Sequence, residues 1–418
     1  MKIKMDHVAR TEGHMGFVSH ILNGNIDKAK LETLEGARMF EGILVGRQYS
    51  EVGEITQRIC GVCPVIHGIV AIKAVENAMG VKVSEKTVLL RKMMLLGQII
   101  QSHTLHLYFL SLPDFLDFQD DLKMVAKYPD RSKRILQLRD FGNKIIAQIG
   151  GRTVHPISPR VGGFTKYPEW ASLNRLAKKT KEMLPVAQEL AELFNKLTYP
   201  DFQRETEFIA LQKEDEYAIY GGDVVSSEGY RVPAKNFLKN VEELEKPFQL
   251  VKNPQHKGQP YLVNALSRLH LNHQLLQPAA QKLLDKSKID FPDFNTFHNV
   301  IAQAIEVVHC LEEFNRLVAQ YAKVKDSTSS VDVKVKAGRG VGAGEAPRGT
   351  LYHEYEFDEL GQVTHCNIIA PTTQFLFNIE QDLNKYLPQL KEKKLATQKK
   401  EIRKLIRAYD PCISCATH

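Results

Sequence analysis

Two Cys-x-x-Cys pairs are the residues of this chain best suited to chemistry. Cys60 and Cys63 lie in RICGVCPVIH, and Cys412 and Cys415 lie in DPCISCATH, near opposite ends of the 418-residue sequence. Thiolates are soft donors that select zinc, nickel, copper(I) or iron in clusters. Each pair supplies half of a tetrathiolate site, so we expect the fold to bring the two ends of the chain together around a metal.

The residues alone leave three interpretations of these pairs open. A catalytic metal and a structural zinc both suit four cysteines, although zinc modules usually hold their two pairs close together in a small domain. A thioredoxin-like redox pair is the third interpretation, but neither pair lies in a βαβ pattern. The wide separation favours a metal that does chemistry over one that only supports folding.

The two cysteine motifs resemble the metal-binding motifs of the large (catalytic) subunit of [NiFe] hydrogenases. Shorter pieces match that family in order along essentially the whole chain: RTEGH, MFEGILVGR, QSHTLHLYFLSLPDF, GGRTVHP, VGGF, EAPRG and APTT. The resemblance implies that all four thiolates bind nickel, with Cys60 and Cys412 terminal. It implies that Cys63 and Cys415 also bridge to an iron that carries CO and cyanide. The implied activity is reversible heterolytic cleavage of H2, which needs a Lewis-acidic metal and a nearby base.

The resemblance also implies roles for charged residues around the metals. Glu12, in RTEGH, matches the proton-relay carboxylate of the family; from the residues alone it could instead pair with Arg10 at a strand end. Arg348, in EAPRG, matches the arginine over the open face of the metal pair, and Asp114 and Asp410 match the acids that hold it. A guanidinium does not readily lose its proton, so the role expected for Arg348 is electrostatic or positional.

Other matches concern the surroundings of the ligands. His67 matches a histidine that hydrogen-bonds toward a bridging thiolate and so tunes the metal. Pro371 and Thr372, in APTT, are expected to lie against the cyanide ligands. The spacing of His103 and His106 would also suit a pair of metal ligands. Because they lie inside a predicted long buried helix, we interpret them as structural.

A third metal is implied near the C-terminus. The family places a hard cation there, usually Mg2+, and its protein ligands would be Glu41, the backbone carbonyl of Ile368 and the His418 imidazole; oxygen ligands suit that ion. In the family, nickel-insertion proteins load the metal and a maturation protease then trims the precursor after the final histidine. A chain that ends at His418 is expected to be this processed form.

The glycine-rich run GRGVGAGEAPRG, residues 338–349, also has an interpretation that does not involve the metal site. Such a run could be a flexible loop or a phosphate cradle. It lacks the Lys-Ser/Thr ending of a P-loop, which argues against nucleotide binding there.

Electron transfer requires a partner. Beyond the four motif cysteines only Cys310 and Cys366 remain, and both are expected to be buried apolar side chains. No cysteines therefore remain to bind iron–sulfur clusters for electron transfer. An iron–sulfur small subunit is expected near the N-terminal cysteine pair and GGRTVHP. The motifs resemble the cytosolic branch that passes electrons to NAD(P) through diaphorase-type flavin subunits.

Several alternatives to that function are kept. Related cytosolic branches use the deazaflavin F420 or a heterodisulfide reductase partner. A complex I-like quinone-site subunit without nickel shares the fold, but that subunit lacks the four cysteines. A zinc-stabilised interaction protein is the remaining alternative.

The elements that must position these residues are mainly helical. Residues 87–111 predict a long central helix, because apolar residues cover more than one face. The other predicted helices lie around residues 132–149, 167–197, 264–288, 296–324 and 374–406. β-rich segments are predicted at 1–50, 200–262 and 330–370, the last with a hairpin turned at Leu360–Gly361. No linker divides the chain, so we predict one α+β domain over 1–418 with a long central helix bundle, the fold of a [NiFe] hydrogenase large subunit.

Composition excludes several classes of function. The formal charge of +7 is spread along the chain, and its densest cluster, residues 391–404, has helical spacing typical of a solvated helix face rather than a nucleic-acid patch. No uncharged apolar run reaches the ~18 residues of a membrane span. The N-terminus has no apolar secretory stretch. We therefore expect a cytoplasmic protein.

Overall fold

The computed structural model describes residues 2–22, 25–118, 120–239, 241–244, 251–325 and 330–418. Helices dominate this part of the chain. They are α1 (Phe40–Leu44), α2 (Val52–Thr56), α3 (Pro64–Met79), α4 (Glu85–Leu105), α5 (Leu112–Phe115), α6 (Asp121–Lys127), α7 (Pro129–Gly150), α8 (Trp170–Lys196), α9 (Ala234–Phe237), α10 (Ala265–Asn272), α11 (Pro278–Leu284), α12 (Asn299–Lys323), α13 (Pro371–Tyr386), α14 (Leu395–Ala408) and α15 (Ile413–Ala416).

The strands form small, separate sheets. They are β1 (Lys2–Met5), β2 (Met15–Leu22), β3 (Asn25–Thr33), β4 (Pro159–Arg160), β5 (Gly163–Phe164), β6 (Glu207–Gln212), β7 (Asp223–Ser226), β8 (Arg231–Pro233), β9 (Val241–Leu244), β10 (Asn253–His256), β11 (Tyr261–Leu262), β12 (Gly338–Ala346), β13 (Gly349–Phe357) and β14 (Val363–Ile369). The sheet orders are β1-β2-β3, β4-β5, β11-β6-β7-β8, β10-β9 and β12-β13-β14. Strands occur within each of the three predicted β-rich segments, and β13 and β14 form the predicted hairpin, where Gly361 has φ +76°.

The long central helix is confirmed as α4. Ser84 caps its N-terminus by accepting a hydrogen bond from the Thr87 amide at 3.3 Å. α4 packs against α7 and α12, and α12 packs in turn against α8. Beyond Leu105 the chain continues as a π-helical segment, His106–Ser111, and enters α5. A helix bundle with a buried central member therefore supports the segments that carry the candidate site.

The glycine-rich run is a strand, so its interpretation as a flexible loop or phosphate cradle is wrong. Gly340 and Gly342 of β12 share one face, and α3 lies directly on it. A Cβ atom at Gly340 would lie 2.1 Å from the Ala74 carbonyl oxygen, and one at Gly342 would lie 2.2 Å from the Val70 carbonyl oxygen. Only a residue without a Cβ atom, which is glycine, permits this approach. The contact joins α3, which follows Cys63, to the β12–β13 turn that carries Arg348.

The single helix predicted for residues 374–406 is wrong. The structure contains α13, a 3-10 turn over Leu387–Leu390, and then α14 as a separate helix. Pro388 has no N–H to continue the helical ladder. The Gln398 side chain closes the corner by donating to the carbonyls of Leu390 and Lys393, each at 3.0 Å. This corner returns the chain toward α5 and delivers the C-terminal cysteines to the core.

No helix in the described ranges is both long and apolar enough to cross a membrane. The four motif cysteines belong to the larger of two clusters of buried apolar residues. The candidate metal centre thus lies inside the core.

The packing of β12 on α3 generates the first prediction. Gly342→Ala places a methyl group against the Val70 carbonyl and should lower the free energy of unfolding by about 1–3 kcal/mol. Chemical denaturation followed by circular dichroism measures the change. Gly36→Ala is the matched control, because no atom lies within 4 Å of a Cβ at Gly36. Equal stability of the two variants would contradict the close contact.

Candidate metal centre

Four buried sulfur atoms meet at one point. Cys60 follows a 3-10 turn and Cys63 immediately precedes α3, while Cys412 and Cys415 lie at and within α15. The Cys60 and Cys412 Sγ atoms are 3.5 Å apart, and the Cys63 and Cys415 Sγ atoms are 3.3 Å apart. All four lie within 4.8 Å of one another. The predicted meeting of the two chain ends is confirmed.

Arg38 fastens the two cysteine segments to each other. Its Nη2 atom donates to the carbonyl of Ile59, at 2.5 Å, and to the carbonyl of Ser414. Ile59 precedes Cys60 and Ser414 precedes Cys415, so one guanidinium bridges both halves of the site. Sequence reasoning did not single out Arg38; its position directly before MFEG was the available signal.

The electrostatics of the sulfur cluster favour a bound cation. Burial raises the pKa of Cys412 and Cys415 well above the usual thiol value. Hydrogen bonds from the other thiols, Cys412 first, lower the pKa of Cys60 instead. Without a positive charge at its centre, the cluster cannot hold four thiolates away from water. A soft cation would remove their repulsion and allow all four to ionise.

Glu12 contacts the sulfur of Cys412. The Cys412 Sγ donates to Glu12 Oε2 at 3.0 Å, and the Ser414 amide donates to the same oxygen at 3.1 Å. The Ser414 hydroxyl donates to Glu12 Oε1 at 2.5 Å. The alternative pairing of Glu12 with Arg10 is wrong, because Arg10 donates to Asp114. The carboxylate is therefore aimed at a ligand sulfur.

Arg348 is buried and held by Asp410. Its Nε donates to the Asp410 carbonyl at 2.7 Å, and its Nη2 donates to the Asp410 carboxylate at 2.8 Å. Asp410 has φ +55°, a left-handed conformation that turns both acceptors toward the guanidinium. Burial by itself lowers the pKa of Arg348, but the charges of Asp410 and the cysteines raise it well above the ordinary value. The group is a fixed positive charge.

Asp114 does not hold Arg348, which corrects that expectation. Its carboxylate lies between two other arginines: Arg10 donates to Oδ1 at 2.6 Å, and Arg407 donates to Oδ2. Arg407 also donates to the carbonyl of Ala9. Both carboxylate oxygens therefore join α5 to other segments: one to the segment between β1 and β2 that contains Arg10, and the other to α14. Sequence reasoning missed Arg407, and no motif pointed to it.

His67 points to a histidine rather than to a sulfur. Its Nδ1 lies 3.2 Å from His353 Nε2, and His353 Nδ1 lies 2.6 Å from the Tyr355 hydroxyl. No hydrogen bond between His67 and a cysteine thiol is found in the described part of the chain, so that expectation is corrected. Burial lowers the pKa of His67 to about 3, so its ring is neutral. His353 and Tyr355 lie two residues apart on β13, so their side chains share one face of the strand. In the sequence the only sign of this pair is the alternation in YHEYEF.

The three groups expected around Mg2+ converge. His418 Nε2 lies 2.9 Å from the Ile368 carbonyl oxygen and 3.9 Å from Glu41 Oε1. His418 Nδ1 lies 2.6 Å from the Cys415 carbonyl. Lys252, which sequence reasoning missed, donates to Glu41 Oε1 at 2.9 Å. Carbonyl, carboxylate and imidazole are therefore brought within reach of one ion.

The remaining residues fall beside the site as follows. Pro371 starts α13, and the Thr372 hydroxyl accepts a hydrogen bond from the Cys412 amide at 3.0 Å. His103 lies 2.9 Å from a Glu306 carboxylate oxygen, and His106 lies 2.6 Å from the Gln303 side-chain oxygen. The structural interpretation of the two histidines agrees with these contacts.

Comparisons with known proteins match this arrangement. Residues 38–134 and 205–418 match the family described as nickel-dependent hydrogenase. The alpha chain of sulfhydrogenase 1 from Pyrococcus furiosus is 33% identical over 100% of this chain and 98% of its own length. One chain of the F420-non-reducing hydrogenase vhu from Methanocaldococcus jannaschii is 32% identical over 89% of this chain and 95% of its own. A crystal structure of an NAD+-reducing [NiFe]-hydrogenase in the H2-reduced state superposes with a TM-score of 0.88, at 27% identity, covering 100% of this chain and 99% of that one.

The buried four-cysteine site and the family match together identify a nickel-dependent metalloenzyme. The chain belongs to the nickel-dependent hydrogenase family, as a large subunit. This membership decides against the zinc-stabilised interaction protein, the redox pair and the nickel-free quinone-site protein.

The sulfur geometry generates the second prediction. Cys412→Ser replaces a soft thiolate by a hard hydroxyl and should abolish nickel retention, because the site then has three soft donors. Metal analysis of the purified large subunit measures nickel per chain. Cys310→Ser is the control, since Cys310 is an equally buried cysteine on α12 outside the sulfur cluster. Full nickel content in Cys412→Ser would refute the ligand assignment.

Proposed function

We propose that this large subunit carries the Ni-Fe centre of a [NiFe] hydrogenase on its four cysteines and catalyses H2 ⇌ 2 H+ + 2 e−. The observation that carries the proposal is the convergence of four buried Sγ atoms within 4.8 Å. Cys60 and Cys412 would be terminal nickel ligands, and Cys63 and Cys415 would bridge to an iron bearing CO and cyanide. Pro371 and Thr372 would border those diatomic ligands.

The donor set suits such a centre. Four soft sulfurs without a disulfide, in a desolvated pocket, match nickel and iron better than a hard ion. When bound, the metal pair supplies the Lewis acidity that polarises H2. The residues of the chain hold it, exclude water and place charges beside it.

Glu12 would move the proton. Its Oε2 lies 3.0 Å from the Cys412 sulfur, within hydrogen-bond distance of a proton held on that atom. Ser414 donates to both carboxylate oxygens, which fixes the carboxylate in place. A proton released at Cys412 would pass to Glu12, which lies in the segment between β1 and β2.

Arg348 would act as a fixed positive charge and not as a base. The raised pKa of Arg348 keeps it protonated, and Asp410 occupies only one edge of its guanidinium. The buried Nη1 atom has no hydrogen-bond partner among the described residues. That atom can stabilise negative charge that develops beside the metals.

Mg2+ would be held by Glu41, the Ile368 carbonyl and His418. The 2.9 and 3.9 Å separations around His418 Nε2 suit ligands that share one small ion. The ion would hold His418 next to Cys415. Nickel-insertion proteins and a maturation protease are the further partners that this proposal includes for assembly of the centre.

The electron partners follow from what the chain lacks. Cys310 and Cys366 are buried and lie outside the sulfur cluster, so iron–sulfur clusters must come from a small subunit. Similarity to an NAD+-reducing enzyme supports NAD(P) as the final acceptor, reached through diaphorase-type subunits.

Metal and acceptor assays test this function. The large subunit, produced with its maturation proteins and then separated from its partner, should contain nickel and iron in equal amounts. The intact complex should reduce NAD+ or NADP+ with H2. Zinc without nickel would overturn the metal assignment. Reduction of a dye or of F420, but not of NAD(P), would overturn only the acceptor.

Glu12→Gln tests the proton route. The amide keeps the size of the side chain but cannot accept a proton, so H2/D+ exchange should fall by about 100-fold or more. Nickel and iron should stay bound. Glu35→Gln is the matched control, because Glu35 accepts from the nearby His14 amide but contacts no sulfur. Normal exchange in Glu12→Gln would require another route.

A further inference from the structure

A buried arginine supports the turn that carries Arg348. Arg268, on α10, is fully buried and binds Glu306 with two hydrogen bonds of 2.7 Å. Its remaining donors reach the Glu345 carboxylate at 3.1 Å, the Ala346 carbonyl at 2.9 Å and the Pro347 carbonyl at 3.0 Å. Its last two acceptors, Ala346 and Pro347, are the residues immediately before Arg348.

We propose that Arg268 is a positioning residue for Arg348. By clamping the Ala346 and Pro347 carbonyls, it fixes the backbone from which the Arg348 side chain extends to Asp410, two residues before Cys412. The inference rests on the proposed role of Arg348 in turnover.

The hairpin pairing of β12 with β13 holds the backbone on either side of Arg348, but few contacts hold its guanidinium. Asp410 binds only Nε and Nη2, and Nη1 has no partner in the described ranges. Turning the backbone before Arg348 would therefore displace the unpartnered Nη1. Gly349, directly after it, has φ +126°, a backbone conformation that a glycine adopts readily and other residues rarely do.

The same two helices support both partners of the Arg348–Asp410 pair. On α12, Glu306 holds Arg268, while Gln303, one helical turn earlier, donates to the Asp410 carboxylate at 3.1 Å. On α4, His103 contacts Glu306, and His106, just beyond the end of that helix, contacts Gln303. One chain of contacts runs from His103 through Glu306 to Arg268, on the Arg348 side of the ion pair. The other runs from His106 through Gln303 to Asp410, so the helix bundle fixes the relative position of the two partners.

Stability alone does not account for this arrangement. Buried ion pairs lose much of their attraction to desolvation and are often no better than apolar packing. The chain contains a second pair of the same kind, in which Arg91 binds Glu76 with two hydrogen bonds of 2.7 Å. Arg91 donates to no residue adjacent to Arg348, so it provides a matched control.

Conservative lysine variants in the complete hydrogenase complex test the proposal. Arg268→Lys keeps the charge but has too few donors for both carbonyls and both carboxylates. H2-dependent dye reduction should lose about 10- to 100-fold in kcat, as expected for a displaced group, with KM for H2 and metal content unchanged. Arg91→Lys should leave kcat within about twofold.

A double-mutant cycle separates positioning from general damage. If Arg268 acts through Arg348, adding Arg268→Lys to Arg348→Lys should lower kcat by less than about twofold further. Arg91→Lys should act independently of Arg348→Lys. Additive losses, or normal turnover in Arg268→Lys, would overturn the positioning role. Normal turnover in Arg348→Lys would instead overturn the proposed role of Arg348.

Amide hydrogen exchange gives a readout independent of activity. Residues 345–350 of the Arg268→Lys complex should exchange faster than in the parent protein, whereas Arg91→Lys should leave them unchanged. If Arg268→Lys does not assemble, Gln303→Leu tests the contact of α12 with Asp410. This variant should lower kcat, and the loss should again vanish in the Arg348→Lys background. Unchanged exchange in an assembled Arg268→Lys complex, or full turnover in Gln303→Leu, contradicts the clamp.

Discussion

The meeting of four buried sulfur atoms from the two ends of the chain is the constraint on which the rest of this structure depends. Desolvated thiolates repel one another, so the residues around them must both close the site and balance its charge. Arg38 closes it by binding carbonyls beside Cys60 and Cys415. The segment between β1 and β2 completes the closure, because Glu12 forms an isolated β-bridge with Cys412.

Rigid packing keeps this meeting point fixed. α3 can lie on β12 only because glycines remove the side chains between them, and this contact holds Cys63 near the turn that carries Arg348. The buried charges around the site are paired. Asp410 accepts a hydrogen bond from Arg348, and Asp114 accepts hydrogen bonds from Arg10 and Arg407. Because an unpaired buried charge is costly, these pairings leave few alternative arrangements for the site.

Much of the fold follows from local pattern. The apolar residues of α4 cover more than one of its faces, which predicts burial without knowledge of its neighbours. The break between α13 and α14 was not predicted, because a basic, helical pattern continues across Pro388 and the corner is closed by Gln398 through tertiary contacts. The glycine-rich run was ambiguous for a similar reason. Its function as a packing face depends on α3, which lies far away in the sequence.

The sequence by itself determined the candidate metal ligands, since cysteine softness and the paired spacing are properties of the residues and their immediate neighbours. Its motifs also indicated that Glu12, Arg348 and the C-terminal residues belong beside the four sulfurs. Only the tertiary structure decided the partners of the charged groups: Asp114 binds Arg10 and Arg407, His67 faces His353, and Arg268 binds the turn before Arg348. The reason is physical. A ligand type is fixed by its own chemistry, whereas a hydrogen-bond partner is fixed by which distant segments the core brings into contact.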